Sequence, residues 1–586
     1  MTDHRAPKIL LLDRLRAQVI FDVFLVILLA GLIGALTGGL ASGFMWAYFH
    51  IKPWLFAAPL DTPPSWRWLG IMAMPIIGGV LAAFIIRHLT RSHLMTPADV
   101  ILAVHVKEGA LNLRHGLGSY LASFIAIAFG NSVGQYGPMV QMGATIGHGL
   151  ERLPYLKRPY AHVAIACGVA AAISAAFQAP IAGIVFALEV LLRFFSLQLF
   201  APITVSAVTA FMVSRELFGR QVLFSIPWKP TLFPAEYAFF TLLGILSGLA
   251  AAGFIKFILF VQKDQRIHSL PLTVRLALAG ALTGLLALAF PQILGSSTHE
   301  LYLTVLGGVP LLILLGVFVT KFVATGFSLG SGMPGGILSP SMYLGATLGG
   351  SMGYLVHALF PYGTNDVPLY ALVGMGSMAS AAIGGPLSII LFVMEVTGNY
   401  EIISFVMTGV VMANLVAARL IGSTSLFDLQ LQGRGFDIGQ GRESIPMQQH
   451  IVGEIAHRDF ARISPQTPLL EARKTLIETG QMEAFATDID HHYHGYITLV
   501  LIDTLLETGA DPQTPCAEFL RQNAQVLYQG HTLHHALHMA ERFDLDHIPV
   551  LESEANPRLV GIIYENELVT HSLEGARISA DMRHKA

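Results

Sequence analysis

From residue 19 to residue 420 the chain alternates between long apolar runs and short polar or glycine-rich breaks. The runs lie at 19–45, 68–86, 117–129, 139–150, 163–192, 199–213, 239–260, 276–290, 309–327, 342–360, 369–396 and 402–420, and they carry few charges. About 20 apolar residues cross a bilayer core, so the pattern predicts roughly a dozen membrane helices. Several runs are too short or too long to cross upright, which predicts tilt or interruption. Residues 8–17 read as a short amphipathic surface helix or as a disordered tail. Met95-Thr96-Pro97-Ala98-Asp99 opens a further helix, with Pro97 in its first turn.

Two of the breaks stand out. Gly330-Ser331-Gly332-Met333-Pro334-Gly335-Gly336-Ile337-Leu338-Ser339-Pro340 separates the runs at 309–327 and 342–360. Gly134-Gln135-Tyr136-Gly137-Pro138 precedes the run at 139–150. Glycine and proline at this density end a helix. Irregular backbone at membrane depth is tolerated only where protein or water covers it. The run after each loop is therefore a helix that begins inside the membrane. Its first N–H groups lack intrahelical acceptors and its dipole presents partial positive charge, which suits an anion. Either loop taken singly also reads as an ordinary interhelical turn.

The two loops belong to a duplication. Gly143-Ala144-Thr145-Ile146-Gly147 follows the first and Gly345-Ala346-Thr347-Leu348-Gly349 the second. Residues 168–190 then match 374–396 at a constant offset of 206, with nine of 23 positions identical and no gap. The identities include Pro180/Pro386 and Glu189-Val190/Glu395-Val396. Paired halves that each carry an interrupted helix point to a substrate site where they meet.

Residues 18–430 thus read as one membrane domain, with a first repeat at about 18–220 and a second at about 236–430. Residues 1–17 precede it and a polar, glycine-rich linker follows at 431–449. Residues 450–575 read as a soluble α/β unit, ahead of a short tail at 576–586. Inside that unit, late apolar strands at 497–502 and 559–564 mark a second, weaker duplication.

Composition agrees with this division. The chain is 53% hydrophobic and 12% charged, with mean hydropathy +0.60, which describes a polytopic membrane protein. A net charge of −3 gives no case for a nucleic-acid partner. Cys167 and Cys516 are too few and too far apart for a disulfide framework. Arg5, Lys8, Arg14 and Arg16 precede a run too long for a signal core, so the N-terminus is expected in the cytoplasm. The expected location is a multi-pass cell membrane of the prokaryotic inner-membrane kind, with the C-terminal unit also cytoplasmic.

These residues resemble the CLC family of chloride channels and chloride/proton exchangers. The loop at 330–340 is similar to the family's G-S-G-x-P-G-G-x-x-x-P, and the loop at 134–138 to its G-R-E-G-P. Ala175-Ala176-Phe177-Gln178-Ala179-Pro180, continued to Glu189, resembles A-A-F-x-A-P-x-x-G-x-x-F-x-x-E. Gly384-Gly385-Pro386 and Glu395-Val396-Thr397-Gly398-Asn399-Tyr400 fit the second-half counterpart. Residues 450–575 resemble a pair of CBS motifs. The resemblance implies an all-α membrane domain of two inverted repeats, followed by a soluble α/β CBS pair. It further implies a homodimer with one pathway per subunit for chloride and similar anions. Carried over, Gln135, Tyr136, Gly137 and Pro138 border an outer anion position, and Gly335, Gly336, Ile337 and Leu338 a central one. Tyr136 and Phe427 fall at the gating positions.

Departures from the family bear on mechanism. Tyr136 stands where G-R-E-G-P has its gating glutamate, and a phenol with an ordinary pKa of about 10 stays neutral. Gln135 replaces the arginine. Val190 stands where exchangers carry an inner proton-accepting glutamate. With both carboxylates absent, the expectation is a passive chloride channel or uncoupled anion transporter. The first-half central loop has its best counterpart in His93-Leu94-Met95-Thr96-Pro97, with Leu94 at the family serine and Thr96 offering a hydroxyl from a shifted place. Phe427, in Ser425-Leu426-Phe427, replaces the central tyrosine. A central site without those hydroxyls is expected to bind chloride weakly, through backbone amides and a ring edge. Glu189 and Glu395 read as structural acids at matching helix ends, although an intramembrane carboxylate is functional by default.

Other readings stay open. A proton-coupled antiporter would need another route, with His148 and His162 as candidates. A non-conducting membrane sensor would act through the tail. Fluoride transport is a lesser alternative, because the family's fluoride carriers keep the outer glutamate. Gly326-Phe327-Ser328-Leu329-Gly330 matches G-x-S-x-G without the strand–turn–helix setting, and His299-Glu300 lacks the second histidine of a zinc motif, so no enzyme is expected. No metal or other cofactor is required. His491, His492 and His494 read as a solvated loop. Thr498 and Tyr564 fall near the nucleotide positions of CBS pairs but lack the usual Asp, so an adenine nucleotide is not expected there.

Overall fold

The computed structural model describes residues 6–570 apart from 62–63, 91–93, 106–110, 152–160, 220–232, 363, 435, 437–449, 523–524, 544–546 and 569. The expected linker beyond 436, the tail at 576–586 and His93 lie outside these residues. The chain forms two compact units, one running to Arg434 and one from Gly435 onward.

The first unit is all-α. Its first half runs α1 (Ala6–Asp61), α2 (Pro64–Leu89), α3 (Pro97–His105), α4 (Leu113–Ala128), α5 (Tyr136–Glu151), α6 (Ala161–Phe177), α7 (Pro180–Phe186, prolonged by a π-helical turn Ala187–Leu192) and α8 (Leu197–Phe218). The second runs α9 (Glu236–Lys263), α10 (Gln265–His268), α11 (Leu272–Ala289), α12 (Thr298–Val305), α13 (Leu311–Gly330), α14 (Leu338–Leu359), α15 (Val367–Ile383), α16 (Pro386–Thr397), α17 (Ile403–Ile421) and α18 (Leu426–Gln432). Among the described residues six helices are long and apolar enough to cross a membrane. Residues 8–17 are not a separate surface helix. No glycine or proline interrupts residues 8–30, so they continue as one helix into the first span.

Two apolar runs also prove to be broken. Pro180 and Pro386 have no N–H and disfavour a helical residue before them. The chain turns at Gln178 (φ +52°) and Gly384 (φ +71°) and restarts as α7 and α16. Neither restart is capped by a side chain of its own N-cap residue. Instead each helix caps the other. Glu395, near the end of α16, accepts the N–H groups of Ile181 and Ala182 in the first turn of α7 at 2.9 and 2.7 Å. Glu189, just past α7, accepts those of Leu387 and Ser388 in the first turn of α16 at 2.9 and 2.8 Å, and the Ser388 hydroxyl at 2.5 Å. Each carboxylate answers two orphan donors and meets the positive end of the opposite dipole. Both glutamates are therefore structural acids, as their matching places in the duplication suggested.

Close packing follows the same symmetry. Gly143 lies against the carbonyl of Gly168, and Gly345 against that of Gly374, so α5 meets α6 as α14 meets α15, backbone to backbone. The two glycine-rich loops then cross. Gly134 donates its N–H to the Gly336 carbonyl at 2.8 Å and accepts that of Gly336 at 2.6 Å. A Cβ on Gly336 would fall on the backbone nitrogen of Gly137. This two-bond bridge brings the starts of α5 and α14 together.

The second unit holds two three-stranded sheets of one topology. In the first, β1 (Ala461–Ile463) pairs parallel with β2 (Glu483–Thr487), which pairs antiparallel with β3 (Tyr493–Thr498). In the second, β4 (Leu527–Tyr528), β5 (His547–Leu551) and β6 (Leu559–Tyr564) repeat that order, with a register shift at the matching place. The strand expected at 497–502 ends instead at Thr498, whose hydroxyl accepts the Leu501 N–H at 3.2 Å and starts the helix Leu499–Glu507. The neighbouring histidines gather on one carboxylate, His492 at 3.1 Å and His494 at 3.4 Å from Asp488. The His492 backbone N–H and these imidazoles hold the Asp488 carboxyl down to about 2. No group of three metal-ligating side chains forms among the described residues.

Removing either carboxylate cap leaves two backbone donors without a partner, at a cost of about 1–3 kcal/mol. Glu395→Ala and Glu189→Ala are each expected to lower the melting temperature of the detergent-solubilised protein, and the corresponding Gln variants to lower it less, because an amide oxygen still accepts. The loop crossing makes a sharper prediction. Gly336→Ala should lower the melting temperature strongly, whereas Gly43→Ala, whose Cβ would meet nothing within 4 Å, should leave it level or raise it.

Candidate functional site

No acidic residue occupies the first turn of α5 or of α14. The residue entering α14, Ile337, offers no side-chain cap, and Pro340 follows within that turn. The leading amides of α14 are thus presented without a fixed anion. The N-cap residue Ile337 borders a cavity of about 120 Å³, room for several waters or one partly hydrated ion. Gly335, Gly336 and Ile337 form one wall, and Leu94, Thr96 and Phe427 stand among the rest. The structure thus brings together the central positions of the second-half loop with Phe427. Gln135, Tyr136, Gly137, Pro138 and Leu338 do not line this cavity.

Tyr136 begins α5 and is buried. Its ring stacks on Phe177 with centroids 3.7 Å apart, and Phe177 meets Phe392 edge-on at 4.5 Å. This aromatic stack draws on both halves. Gln135 is fully buried. Its amide N–H reaches Thr298 at 3.4 Å, while its carbonyl oxygen finds no partner among the described residues. Val190 is buried in the π-helical turn against Gly385. Glu189, the carboxylate next to Val190, and its counterpart Glu395 are engaged as caps.

Thr96 does not supply the shifted hydroxyl. Its O–H and N–H both go to Asp99 at 2.6 Å, the local bond that starts α3. Phe427 is held by its neighbour: Asp428 takes Arg193 and the Thr424 hydroxyl, tying α18 to the end of the π-helical turn. Ser328 sits inside α13, 3.4 Å from the Thr283 hydroxyl, in no elbow. In the second unit Thr498 is spent as a helix cap, and Tyr564 packs edge-on against His457.

Several residues escaped the sequence reading. Ser123 of α4 and Gln141 of α5 line the cavity. Ser123 lies one turn beyond Ser119 in an otherwise apolar run, a helical spacing that marks one face. Lys321 is the lone charge in the run at 309–327 and is fully buried. It donates to the Ile293 and Gly295 carbonyls at 3.0 Å and to the Ser297 hydroxyl at 2.8 Å. All three acceptors are neutral. The neighbouring Glu300 lies 3.5 Å from Lys52, and Thr298, two residues before Glu300, meets Gln135.

Comparison with known proteins places this geometry. Residues 78–418, more than half of the chain, match the family described as voltage gated chloride channel, and residues 516–574 match the CBS domain. The chain is 32% identical to a ClcB-like protein of Ralstonia nicotianae over 68% of its length and 95% of the relative's. It is 28% identical to the voltage-gated ClC-type chloride channel ClcB of Escherichia coli over 67% of its length and 96% of that protein's. Among solved structures it is similar to a slow cyanobacterial Cl⁻/H⁺ antiporter, with TM-score 0.63 and 25% identity over 70% of this chain and 97% of that one. A eukaryotic CLC transporter shares the fold at TM-score 0.63 and 18% identity over 93% of this chain and 98% of that one. A multi-pass membrane protein of paired broken helices, the chain belongs to the voltage gated chloride channel family and carries a C-terminal CBS domain.

Proposed function

We propose that this protein passes chloride and similar anions down their gradient, without exchanging protons for them. The observation that carries the reading is the pair Tyr136 and Val190. Neither takes or releases a proton at ordinary pH, and Glu189, next to Val190, and its counterpart Glu395 are held on helix starts. The anion is held by backbone partial charges at the start of α14. A bare ion costs many kcal/mol to bury, yet partial charges bind weakly enough for it to leave again.

Tyr136 gates sterically. Its ring opens the outer route only by leaving Phe177, and such a stack is worth about 0.5–1.5 kcal/mol. The protein works as a homodimer in a prokaryotic inner membrane, with N-terminus and CBS pair in the cytoplasm, where the pair dimerises or regulates the membrane part. It performs no covalent chemistry and needs neither metal nor nucleotide. A second reading, antiport through another proton route, draws on the likeness to the cyanobacterial antiporter.

Chloride efflux from liposomes, started by a potassium ionophore and followed beside a pH electrode, tests the proposal. Wild type should release chloride without proton movement against the proton gradient. Phe177→Ala should speed release by about 2- to 12-fold, the stacking energy expressed as a rate, and Tyr136→Ala by at least as much. Uphill proton movement in wild type would select the antiporter. Unchanged rates in both variants would remove Tyr136 from the pathway.

A further inference from the structure

The geometry points to a central anion site whose side-chain donors are Ser123 and Gln141, in place of the hydroxyls lost at Leu94 and Phe427. The inference rests on the anion-pathway reading and names the residues that hold the ion.

Three observations meet in one cavity. The uncapped start of α14 enters it through Ile337, with no acid in its first turn. Ser123, 1% exposed, and Gln141, 3% exposed, line the same space from α4 and α5. No other described residue takes a hydrogen bond from either side chain, and both reach the cavity. A buried hydroxyl and a buried amide without partners cost free energy unless the cavity supplies one. Gln262 and Gln430 also line the cavity, but both are more exposed, so bulk water satisfies them.

The donor chemistry fits a halide. Ser123 offers one O–H and Gln141 an NH₂ group, and the amide turns to present either end. The backbone of Ile337, which leads into α14, completes a neutral, donor-rich shell. Thr96 also lines the cavity, but its hydroxyl is committed to Asp99. Nothing in this shell carries full charge, so the ion is bound and released on neutral donors alone. The two donors come from the first half and the amides from the second, so the ion sits on the junction of the duplication.

Bromide soaked into crystals of the full-length protein gives the direct test. Its anomalous signal should lie within hydrogen-bond distance of Ser123 Oγ and Gln141 Nε2. Bromide at the start of α14 with neither side chain in reach would overturn the assignment. In liposome flux, Ser123→Ala and Gln141→Leu should each raise the half-saturating chloride concentration about tenfold or more, since a hydrogen bond to a charged group is lost. Ser123→Thr should stay close to wild type. If a variant fails to fold, the bromide position in the wild type decides. Normal wild-type flux with unmoved half-saturation in both folded variants would refute this donor set and leave the anion pathway standing. Absence of any wild-type chloride flux would refute the pathway, and this site with it.

Discussion

A peptide N–H that finds no acceptor inside a membrane costs several kcal/mol, and four helices of this protein begin where water is scarce. The chain meets that constraint in two ways. At α7 and α16 the donors receive a permanent anion, Glu395 on one and Glu189 on the other. At α5 and α14 no acid stands in the first turn. The first pair of helix starts is closed by the protein. The second has no such acid, and there we place the anion.

The duplication makes both arrangements possible. Because the halves match, each can complete the other: the carboxylate caps are exchanged across the pair, and so are the two hydrogen bonds between Gly134 and Gly336. Glycines at the crossing remove the Cβ atoms that would hold the loops apart. The starts of α5 and α14 are therefore positioned by backbone rather than by flexible side chains. Around them the chain puts an aromatic stack, a buried lysine cluster and a cavity lined by neutral donors.

Much of this was legible in the residues. Length and apolarity gave the membrane class, and the repeated G-A-T-x-G and the offset of 206 gave the paired halves. Loops at 134–138 and 330–340 marked the broken helices, because glycine and proline act locally on the backbone. Features that depend on distant contacts were not legible. Nothing in the run at 8–30 says whether its polar start lies flat or continues into the span; the unbroken helix decides. Thr96 looked like a free hydroxyl until Asp99, three residues on, was seen to take it. Ser123, Gln141 and Lys321 stood as single polar residues in apolar runs, and only tertiary packing shows which of them faces a cavity and which is bonded to carbonyls.

The zero-current voltage of the reconstituted protein under independent chloride and pH gradients probes the central claim most directly. An uncoupled pathway is expected to reverse at the chloride equilibrium potential, about 59 mV for each tenfold chloride gradient, and to stay there when pH on either side is changed. A reversal voltage that moves with the pH gradient would show protons crossing in exchange for chloride and would contradict the account.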